Sequence, residues 1–363
     1  MRRSQEGDRG DIVKEKSLTA TFLKVRSTVF CSTLFSLVLS ISPAEATAEN
    51  IQNQRGVQYL TLRDRIDAEE GYFGSQRSSL KAGSCIVDQL SLDFLSKAAE
   101  IAPFRIPEEI LSLERIEEKP IERLMTEFAE ETRDDPVLYI HGYYIDFSKG
   151  CRRATVFKEN AGLEGKFLWF SWPSDGSLVN YARDEVNLYW SVPELAGTIV
   201  DLHDRFGSGN VDLAGHSLGG RGLVLALYEV AATRPDLRFG EVVLLAPDMD
   251  FDIFRKLLPR VRPLVQSITV YTSDADKALD VSAQVHGYPR LGQSGNEVEV
   301  LTSVEVIDVS ELTAMSTNGH LYHIYNKEVG ADLSQLLNQG KPANERSGLE
   351  RVGSNLWKVM PNQ

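Results

Sequence analysis

A serine flanked by glycines follows an apolar run in the middle of the chain. The run Val211-Asp212-Leu213-Ala214 leads into Gly215-His216-Ser217-Leu218-Gly219, so a glycine stands two residues before the hydroxyl and another two after it. If a strand ends at His216 and a helix begins at Leu218, Ser217 occupies a sharp, strained turn that projects its side chain above a sheet. Glycine suits both flanking positions, because a Cβ atom there would collide where the helix folds back on the strand. The pattern predicts a nucleophilic serine.

Such a serine needs a base that accepts its proton and an acid that orients the base. In this arrangement the acid and then the histidine follow the serine in the chain, each after a later strand. We predict His320 as the base, in the polar loop after the last strand, with His323 as the alternative. We predict Asp276 as the acid, with Asp248, after the preceding strand, as the alternative. A histidine with no such role would be a surface residue, and an unused carboxylate would cap the next helix.

The charge that develops on an attacked carbonyl oxygen needs hydrogen-bond donors. The strand that begins at Val137 ends in His141-Gly142, and such a turn can direct the backbone N–H of Tyr143 toward that oxygen. The N–H of Leu218, at the predicted helix start, is the second donor. The alternative for this segment is an ordinary turn. Further residues expected at the pocket, unless the aromatic ones belong to the core, are His141, Gly142, Tyr144 and Trp172.

Alternating apolar runs and amphipathic segments from residue 136 to 340 would position these side chains. Strands are predicted in VLYIHG, KFLWFSW, NVDLAGHS, EVVLLAPD, SITVYTSD and VEVIDVS, and helices over about 148–160, 183–206, 219–232, 251–265, 277–285 and 326–338. Unbroken apolar strands are typical of a sheet buried on both faces. The fold class predicted is therefore α/β, with a mostly parallel central sheet and helices on both sides. One helix fits between the fourth and fifth of these strands, so we expect a small or absent cap.

The regions on either side of this core differ in composition. Residues 47–135 are predicted to form an N-terminal extension packed on the core, with extra strands at the sheet edge and two Glu-rich helices. Residues 341–363 form a polar C-terminal tail that we expect to be loosely ordered.

The first 46 residues have the pattern of an export signal. Basic residues precede an apolar segment from Ser27 to Ser42, followed by Ala44-Glu45-Ala46. The apolar segment is shorter than the roughly 20 residues that span a bilayer, so cleavage after Ala46 or Ala48 is expected, with an uncleaved anchor as the alternative. We therefore predict a periplasmic or secreted protein without a membrane span after cleavage.

Export would bring Cys85 and Cys151 into an oxidising compartment, where they could pair as a disulfide. The alternative is two buried thiols that behave as small apolar residues. The third cysteine, Cys31, would be removed with the signal.

The composition and motifs of the chain exclude several classes of partner and cofactor. The 363 residues are 42% hydrophobic and carry a formal net charge of −13. An acidic chain argues against nucleic acid as a partner, because basic patches supply most of the affinity there. The sequence contains no phosphate-binding loop, dinucleotide fingerprint or metal-ligand spacing, so no cofactor and no metal are expected. A small-molecule acyl compound is the expected substrate, and the sequence leaves the oligomeric state open.

Several blocks resemble a bacterial family of exported α/β-hydrolases that is named only as a domain of unknown function. The blocks are IHGYYIDF, FSWPSDG, AGHSLGGR, APDMDFDIF, SDADKAL and GHLYH, and the resemblance covers about residues 130–340. The upstream segment GYFGSQRSSLKAGSCIV also resembles a segment that precedes the core in that family. The resemblance implies Ser217 as nucleophile, His320 as base and Asp276 as acid. This chain departs in having Tyr144, where relatives usually carry asparagine.

Together these patterns predict a carboxylesterase-like serine hydrolase. It would cleave an ester, a thioester or an amide through a covalent acyl-enzyme. One alternative is a binding module that keeps the fold without catalysis, since fold alone does not prove activity. The other is an acyltransferase, which would use the same three residues and exclude water.

Overall fold

The computed structural model describes residues 55–67, 72–89, 111–130, 135–163, 167–312 and 319–361. The predicted export signal and its cleavage sites lie outside these residues. No helix in this part of the chain combines the length and the apolar character that crossing a bilayer requires.

The secondary structure alternates strands and helices through most of the chain. The strands are β1 Gly56–Arg65, β2 Phe73–Gln89, β3 Leu111–Lys119, β4 Val137–Ile140, β5 Phe167–Ser171, β6 Asp212–His216, β7 Phe239–Leu245, β8 Val265–Thr272, β9 Glu305–Asp308, β10 Leu349–Arg351 and β11 Leu356–Val359. The helices are α1 Ile121–Glu130, α2 Phe147–Asn160, α3 Tyr181–Phe206, α4 Leu218–Thr233, α5 Phe251–Val261, α6 Lys277–His286, α7 Tyr322–Tyr325 and α8 Lys327–Leu337. The predicted core helices match these bounds closely, except that the helix predicted to reach residue 265 ends at Val261 and is followed by a 3₁₀ turn, Arg262–Leu264.

All the strands belong to one sheet, in the order β10-β11-β9-β8-β7-β6-β4-β5-β1-β2-β3. The strands from β11 to β1 in this order run parallel, and the pairs β1–β2, β2–β3 and β10–β11 are antiparallel. Because the carboxyl ends of parallel strands meet at one edge, the loops after β4, β6, β7, β8 and β9 lie on the same side of the molecule. The prediction of a mostly parallel α/β fold is confirmed.

Two apolar layers cover the two faces of this sheet. Successive residues of β4 alternate between them, with Leu138 in the layer that contains α3 and α4 and Tyr139 in the layer that contains α2 and α8. Because side chains of a strand point alternately to opposite faces, a strand that is buried throughout must be covered on both. The central strands are thereby held in fixed register beneath the loops at their carboxyl ends.

The extension adds β1, β2 and β3 to one end of the sheet, through parallel pairing of β1 with β5. One of the Glu-rich helices predicted there is wrong, because residues 111–119 form β3. Backbone pairing with the otherwise open edge of β2 outweighs the helix propensity of LSLERIEEK. Its charged side chains suit an edge strand, since they oppose further pairing. The other Glu-rich stretch contains α1.

A disulfide connects the extension to the core. Cys85 of β2 and Cys151 of α2 are bonded, with their Cα atoms 6.3 Å apart, and both are fully buried. Of the two alternatives for these cysteines, the structure therefore has the pair.

The expectation of a loosely ordered C-terminal tail is wrong for residues up to 361. Strand β11 pairs with β9, and Trp357 is buried. Arg346 is also buried and forms ion pairs of 3.0 Å with both Asp332 and Glu305. A buried cation needs such partners. They lie 14 and 41 residues away in sequence, so the polar composition of the segment did not indicate them.

Candidate active site

Ser217 occupies a tight turn between β6 and α4. Its φ of 54° and ψ of −123° lie in a region that residues other than glycine rarely adopt. Two hydrogen bonds, one to the last residue of β7 and one to the loop that follows it, hold this conformation: Ser217 N–H donates to Leu245 O at 2.9 Å, and Asp248 N–H donates to Ser217 O at 3.1 Å. The strained backbone is therefore fixed from the neighbouring strand.

The glycines around Ser217 are required by close backbone approach. A Cβ atom on Gly215 would lie 2.7 Å from the Cα of Gly220, and one on Gly219 would lie 2.3 Å from His141 O. Both distances are far below van der Waals contact, so neither position accepts a side chain without movement of the backbone. The carboxyl ends of β4 and β6 and the first turn of α4 are thus packed against each other.

His320 and Asp276 form a hydrogen-bonded pair in the loops after β9 and β8. His320 Nδ1 lies 2.6 Å from Asp276 Oδ2, and both residues are buried. The other carboxylate oxygen of Asp276 accepts from the N–H groups of Ala278 and Leu279, each at 3.1 Å, at the start of α6. Asp276 therefore caps a helix and contacts the histidine at the same time. With Nδ1–H donating to the carboxylate, Nε2 of a neutral His320 is the proton-accepting nitrogen.

Gly319 permits this pairing. Its φ of +65° is in the left-handed region, and a Cβ atom on it would lie 2.4 Å from Ala275 O. The loop that carries His320 can approach the loop that carries Asp276 because residue 319 has no side chain.

One cavity of about 370 Å³ contains the predicted nucleophile and the predicted base. Ser217 and His320 both line it, together with Tyr143, Tyr181 and Asp248. Its volume falls within the range of small-molecule sites, roughly 300–1,000 Å³. The structure therefore brings Ser217, His320 and, through His320, Asp276 to one cavity from three strand ends.

Asp248, the alternative acid, lines this cavity but has other partners. Its carboxylate accepts from Tyr181 Oη at 2.5 Å, Ser282 Oγ at 2.6 Å and Arg290 Nε at 2.8 Å, and Arg221 Nη2 lies 3.4 Å away. Burial by itself would raise the pKa of Asp248, but the two arginines hold it below its ordinary value. Asp248 is thus a paired carboxylate, and none of these four partners is a histidine.

His323, the alternative base, lies behind the cavity in a buried cluster of rings. It is in the short helix α7, its Nε2 is 3.5 Å from Tyr139 Oη, and burial lowers its pKa well below the ordinary value. His216, whose pKa burial also lowers, packs between His320 and His323 at centroid distances of 4.6 and 4.3 Å. Its Nε2 lies 3.1 Å from His320 O, so a neutral His216 with Nε2–H supports the His320 loop from below.

The loop after β4 lies directly against the nucleophile turn. A Cβ atom on Gly142 would lie 2.9 Å from the Cβ of Ser217, and Tyr143 lines the cavity. Leu218 is the first residue of α4, where backbone N–H groups have no partner within the helix. The two predicted oxyanion donors therefore belong to segments that flank Ser217.

Four residues expected at the pocket are not part of the described cavity wall: His141, Gly142, Tyr144 and Trp172. His141 and Trp172 are buried under the loop, where their rings stack at a centroid distance of 5.1 Å and an angle of 6°. Trp172 Nε1 also donates to His141 O at 2.7 Å. His141 and Trp172 therefore pack in the core beneath the loop after β4 and are not among the described lining residues of the cavity.

Tyr144, for which the resemblance implied asparagine, has a φ of 62°. Asparagine populates this left-handed region more readily than a bulky residue does. Here Tyr144 N–H donates to the buried Asp184 at 3.2 Å, and Lys149 Nζ lies 3.7 Å from the centre of the tyrosine ring. These contacts stabilise the unfavourable backbone conformation.

Arg63 of β1 is a buried residue near the site that was not predicted from the sequence. Its fully buried guanidinium donates to Ser171 Oγ at 2.9 Å and to the carbonyl oxygens of Gly74, Ser174 and Ile145 at 3.1, 2.8 and 2.7 Å. Burial lowers its pKa to about 10. One side chain from the extension thus ties together the segments that follow β4 and β5. A charged residue after the apolar run YLTL was the only signal in the sequence.

A family model described as an alpha/beta hydrolase of unknown function (DUF900) matches residues 117–339. No curated protein sequence matches significantly.

Three solved structures are among those similar to this chain. A proposed cell-surface hydrolase from Lactobacillus plantarum WCFS1 is 16% identical, with 59% of this chain and 95% of that chain covered and a TM-score of 0.38. An esterase from Pyrobaculum calidifontis is 14% identical, with coverages of 56% and 77% and a TM-score of 0.34. The carboxylesterase CesB from Bacillus subtilis is 11% identical, with coverages of 58% and 86% and a TM-score of 0.32.

Proposed function

The chain belongs to the DUF900 family of alpha/beta hydrolases, and on that premise we propose that it is a serine hydrolase that cleaves a carboxylic ester, thioester or amide. The observation that carries the proposal is the His320 Nδ1 to Asp276 Oδ2 contact of 2.6 Å, made by a histidine that shares one cavity with Ser217. A nucleophile in a strained turn, beside an imidazole oriented by a carboxylate, is the arrangement that acyl transfer requires.

In the proposed reaction, Ser217 Oγ attacks the carbonyl carbon of the substrate while its proton passes to Nε2 of His320. Asp276 stabilises the imidazolium that forms and keeps the ring oriented. The backbone N–H groups of Tyr143 and Leu218 donate to the oxyanion. Collapse of the tetrahedral intermediate transfers the proton from His320 to the leaving group, which departs and leaves an acyl ester on Ser217.

Water then completes the cycle. His320 accepts a proton from the attacking water, and a second tetrahedral intermediate forms at the same donors. Its collapse returns the proton to Ser217 Oγ and releases the carboxylic acid. The buried surroundings of His320 and Asp276 favour these transfers, because charge interactions are stronger where water is excluded.

We also propose that the protein acts in the periplasm or outside the cell. The Cys85–Cys151 disulfide supports this location, because such bonds persist in oxidising compartments. The leader-like pattern of the first 46 residues supports it independently.

The direct test is labelling with a fluorophosphonate, which reacts with activated serines, together with a panel of p-nitrophenyl esters. Wild-type protein is expected to be labelled and to hydrolyse at least one ester, and Ser217→Ala is expected to do neither. Ser191→Ala is the matched control, because it removes a buried hydroxyl that donates to Asn187 O at 2.8 Å and is not part of the site. Asp276→Asn is expected to lower kcat by about 10²–10⁴, through loss of the oriented base.

Two results would contradict the proposal. Equal labelling of wild type and Ser217→Ala would show that Ser217 is not the nucleophile. Failure of wild type to react with any probe would favour a binding module. If an added alcohol, and not water, receives most of the acyl group, the enzyme is an acyltransferase.

A further inference from the structure

The cavity that contains Ser217 has an apolar wall formed mainly by helix α6. Ala278, Val281 and Val285 line it with the three- and four-residue spacing of a single helix face, and Ser282, the polar residue of α6 in the described lining, donates its hydroxyl to Asp248 Oδ1 at 2.6 Å. Val179, in the 3₁₀ turn before α3, contributes a further apolar side chain. The wall therefore extends from near the start of α6, which Asp276 caps, almost to the end of that helix.

Three valines of this wall are exposed to solvent: Val281 by 59%, Val285 by 70% and Val179 by 89%. Removing apolar surface from water is favourable by about 25 cal/mol of free energy per Å² buried. An apolar group that enters the cavity would cover them. They line the same cavity as the proposed nucleophile, so a molecule attached to Ser217 could cover them.

The described cavity wall offers no unpaired charge for a charged substituent. Among its residues Asp248 is the anion, and its carboxylate is bonded to Tyr181, Ser282 and Arg290. No lysine or arginine is among the described lining residues. A charged group placed against these valines would lose part of its hydration without gaining a partner, whereas an apolar chain would cover them, so the wall favours an uncharged chain.

We infer that the substrate carries an apolar acyl chain that lies along Ala278, Val281 and Val285 of α6. This inference rests on the proposed function, because the chain is placed by its ester bond to Ser217. The helix rises about 10 Å between residues 278 and 285. That length corresponds to an extended chain of roughly eight carbons, at about 1.2 Å per bond.

The first test uses p-nitrophenyl esters from acetate to dodecanoate. Wild-type protein is expected to show a higher kcat/KM for octanoate than for acetate. In the double variant Val281→Asn/Val285→Asn, the octanoate-to-acetate ratio of kcat/KM is expected to fall by about tenfold, with little change for acetate. Asparagine has nearly the helix propensity of valine, so α6 is retained. Ile253→Asn is the matched control, since Ile253 is 51% exposed on α5 and does not line the described cavity.

The second test measures binding without catalysis, which separates failure of this inference from failure of the proposed function. N-methyloctanamide, an uncharged amide of the same length, is titrated into Ser217→Ala by calorimetry. It is expected to bind more tightly than N-methylacetamide, and the two valine substitutions are expected to raise its Kd about tenfold.

Absence of a length preference in binding, or an equal effect of Ile253→Asn, would overturn the inference even if Ser217 proves to be the nucleophile. Conversely, length-dependent binding that requires the valines would support the chain site even in a protein that hydrolyses none of the esters. If the valine substitutions weaken attachment to phosphatidylcholine vesicles and leave both length preferences unchanged, the valines face a membrane and the inference is wrong.

Discussion

Replacement of Gly219 by alanine tests the packing on which the candidate site depends. The added Cβ atom would lie 2.3 Å from His141 O and 2.4 Å from Ile140 O, both in the backbone at the end of β4. Ordinary van der Waals contact begins at about 3.4 Å, so the first turn of α4 and the end of β4 must separate by about 1 Å. Overpacking of this kind costs about 1–3 kcal/mol. We expect the thermal midpoint to fall by about 2–6 °C.

The same displacement would move the loop that follows β4 away from Ser217. A shift of about 1 Å in a catalytic arrangement can reduce its rate by about 10²-fold. We therefore expect Gly219→Ala to react with fluorophosphonate about 10²-fold more slowly than wild type, at a temperature where both are folded. Circular dichroism gives the midpoint, and the time course of labelling gives the rate.

Gly197 provides the matched control. It lies in the interior of α3, and a Cβ atom there would have no atom within 4 Å. Gly197→Ala is therefore expected to stabilise the protein by about 0.5–1 kcal/mol, with an unchanged labelling rate. A Gly219→Ala protein with the midpoint and labelling rate of wild type would refute the close approach of α4 to β4.

Three further predictions concern the surroundings of the site. Arg63→Lys keeps a positive charge but loses the planar group that donates to three carbonyl oxygens. We therefore expect kcat to fall about tenfold with little change in KM. A lower thermal midpoint with wild-type kcat would show a purely structural role. Burial raises the pKa of Asp212 to about 7, so between about pH 4 and 7 the folded protein keeps a proton that the unfolded chain has lost. The contribution of Asp212 to the free energy of unfolding is therefore complete below about pH 4 and is lost as the pH rises to 7. Asp212→Asn should remove this loss of stability. Thermal midpoints measured from pH 4 to 8 should therefore fall more in wild type than in the variant as the pH rises. Cys85→Ala/Cys151→Ala, which opens a 66-residue separation, should destabilise the protein by about 4 kcal/mol in chemical denaturation, and an unchanged midpoint would contradict this expectation.

The hydrophobic pattern alone was sufficient to predict the α/β class and most of the helices and strands between residues 136 and 338. Strands such as β4 and β7 are buried on both faces, and a strand of this kind has an unbroken apolar sequence. Polar segments gave no such signal. The strand β3 and the ordered residues after Gly340 were missed because long-range pairing, with β2 and with β9, determines their structure.

At the site, the turn around Ser217 could be predicted locally, since the strain and the glycines that permit it lie within five residues. The contact between His320 and Asp276 joins positions 44 residues apart, and the sequence offered alternatives for both. The structure distinguishes their surroundings: Asp248 is bound by arginines, and His323 lies in a buried ring cluster. The catalytic roles of Ser217, Asp276 and His320 stay predictions, which the labelling and hydrolysis experiments test.

Features that depend on neighbouring residues could be predicted from the chain: the periodicity of each strand and helix, the sharp turn at Ser217, and the order in which a serine, an acid and a histidine occur. Folding in three dimensions sets which carboxylate faces which histidine, places Arg63 beneath the loop after β4, and brings exposed valines of α6 to the cavity. Hydrogen bonds, ion pairs and burial act over a few ångströms in space, whereas separation along the chain carries no information about the distance between two residues.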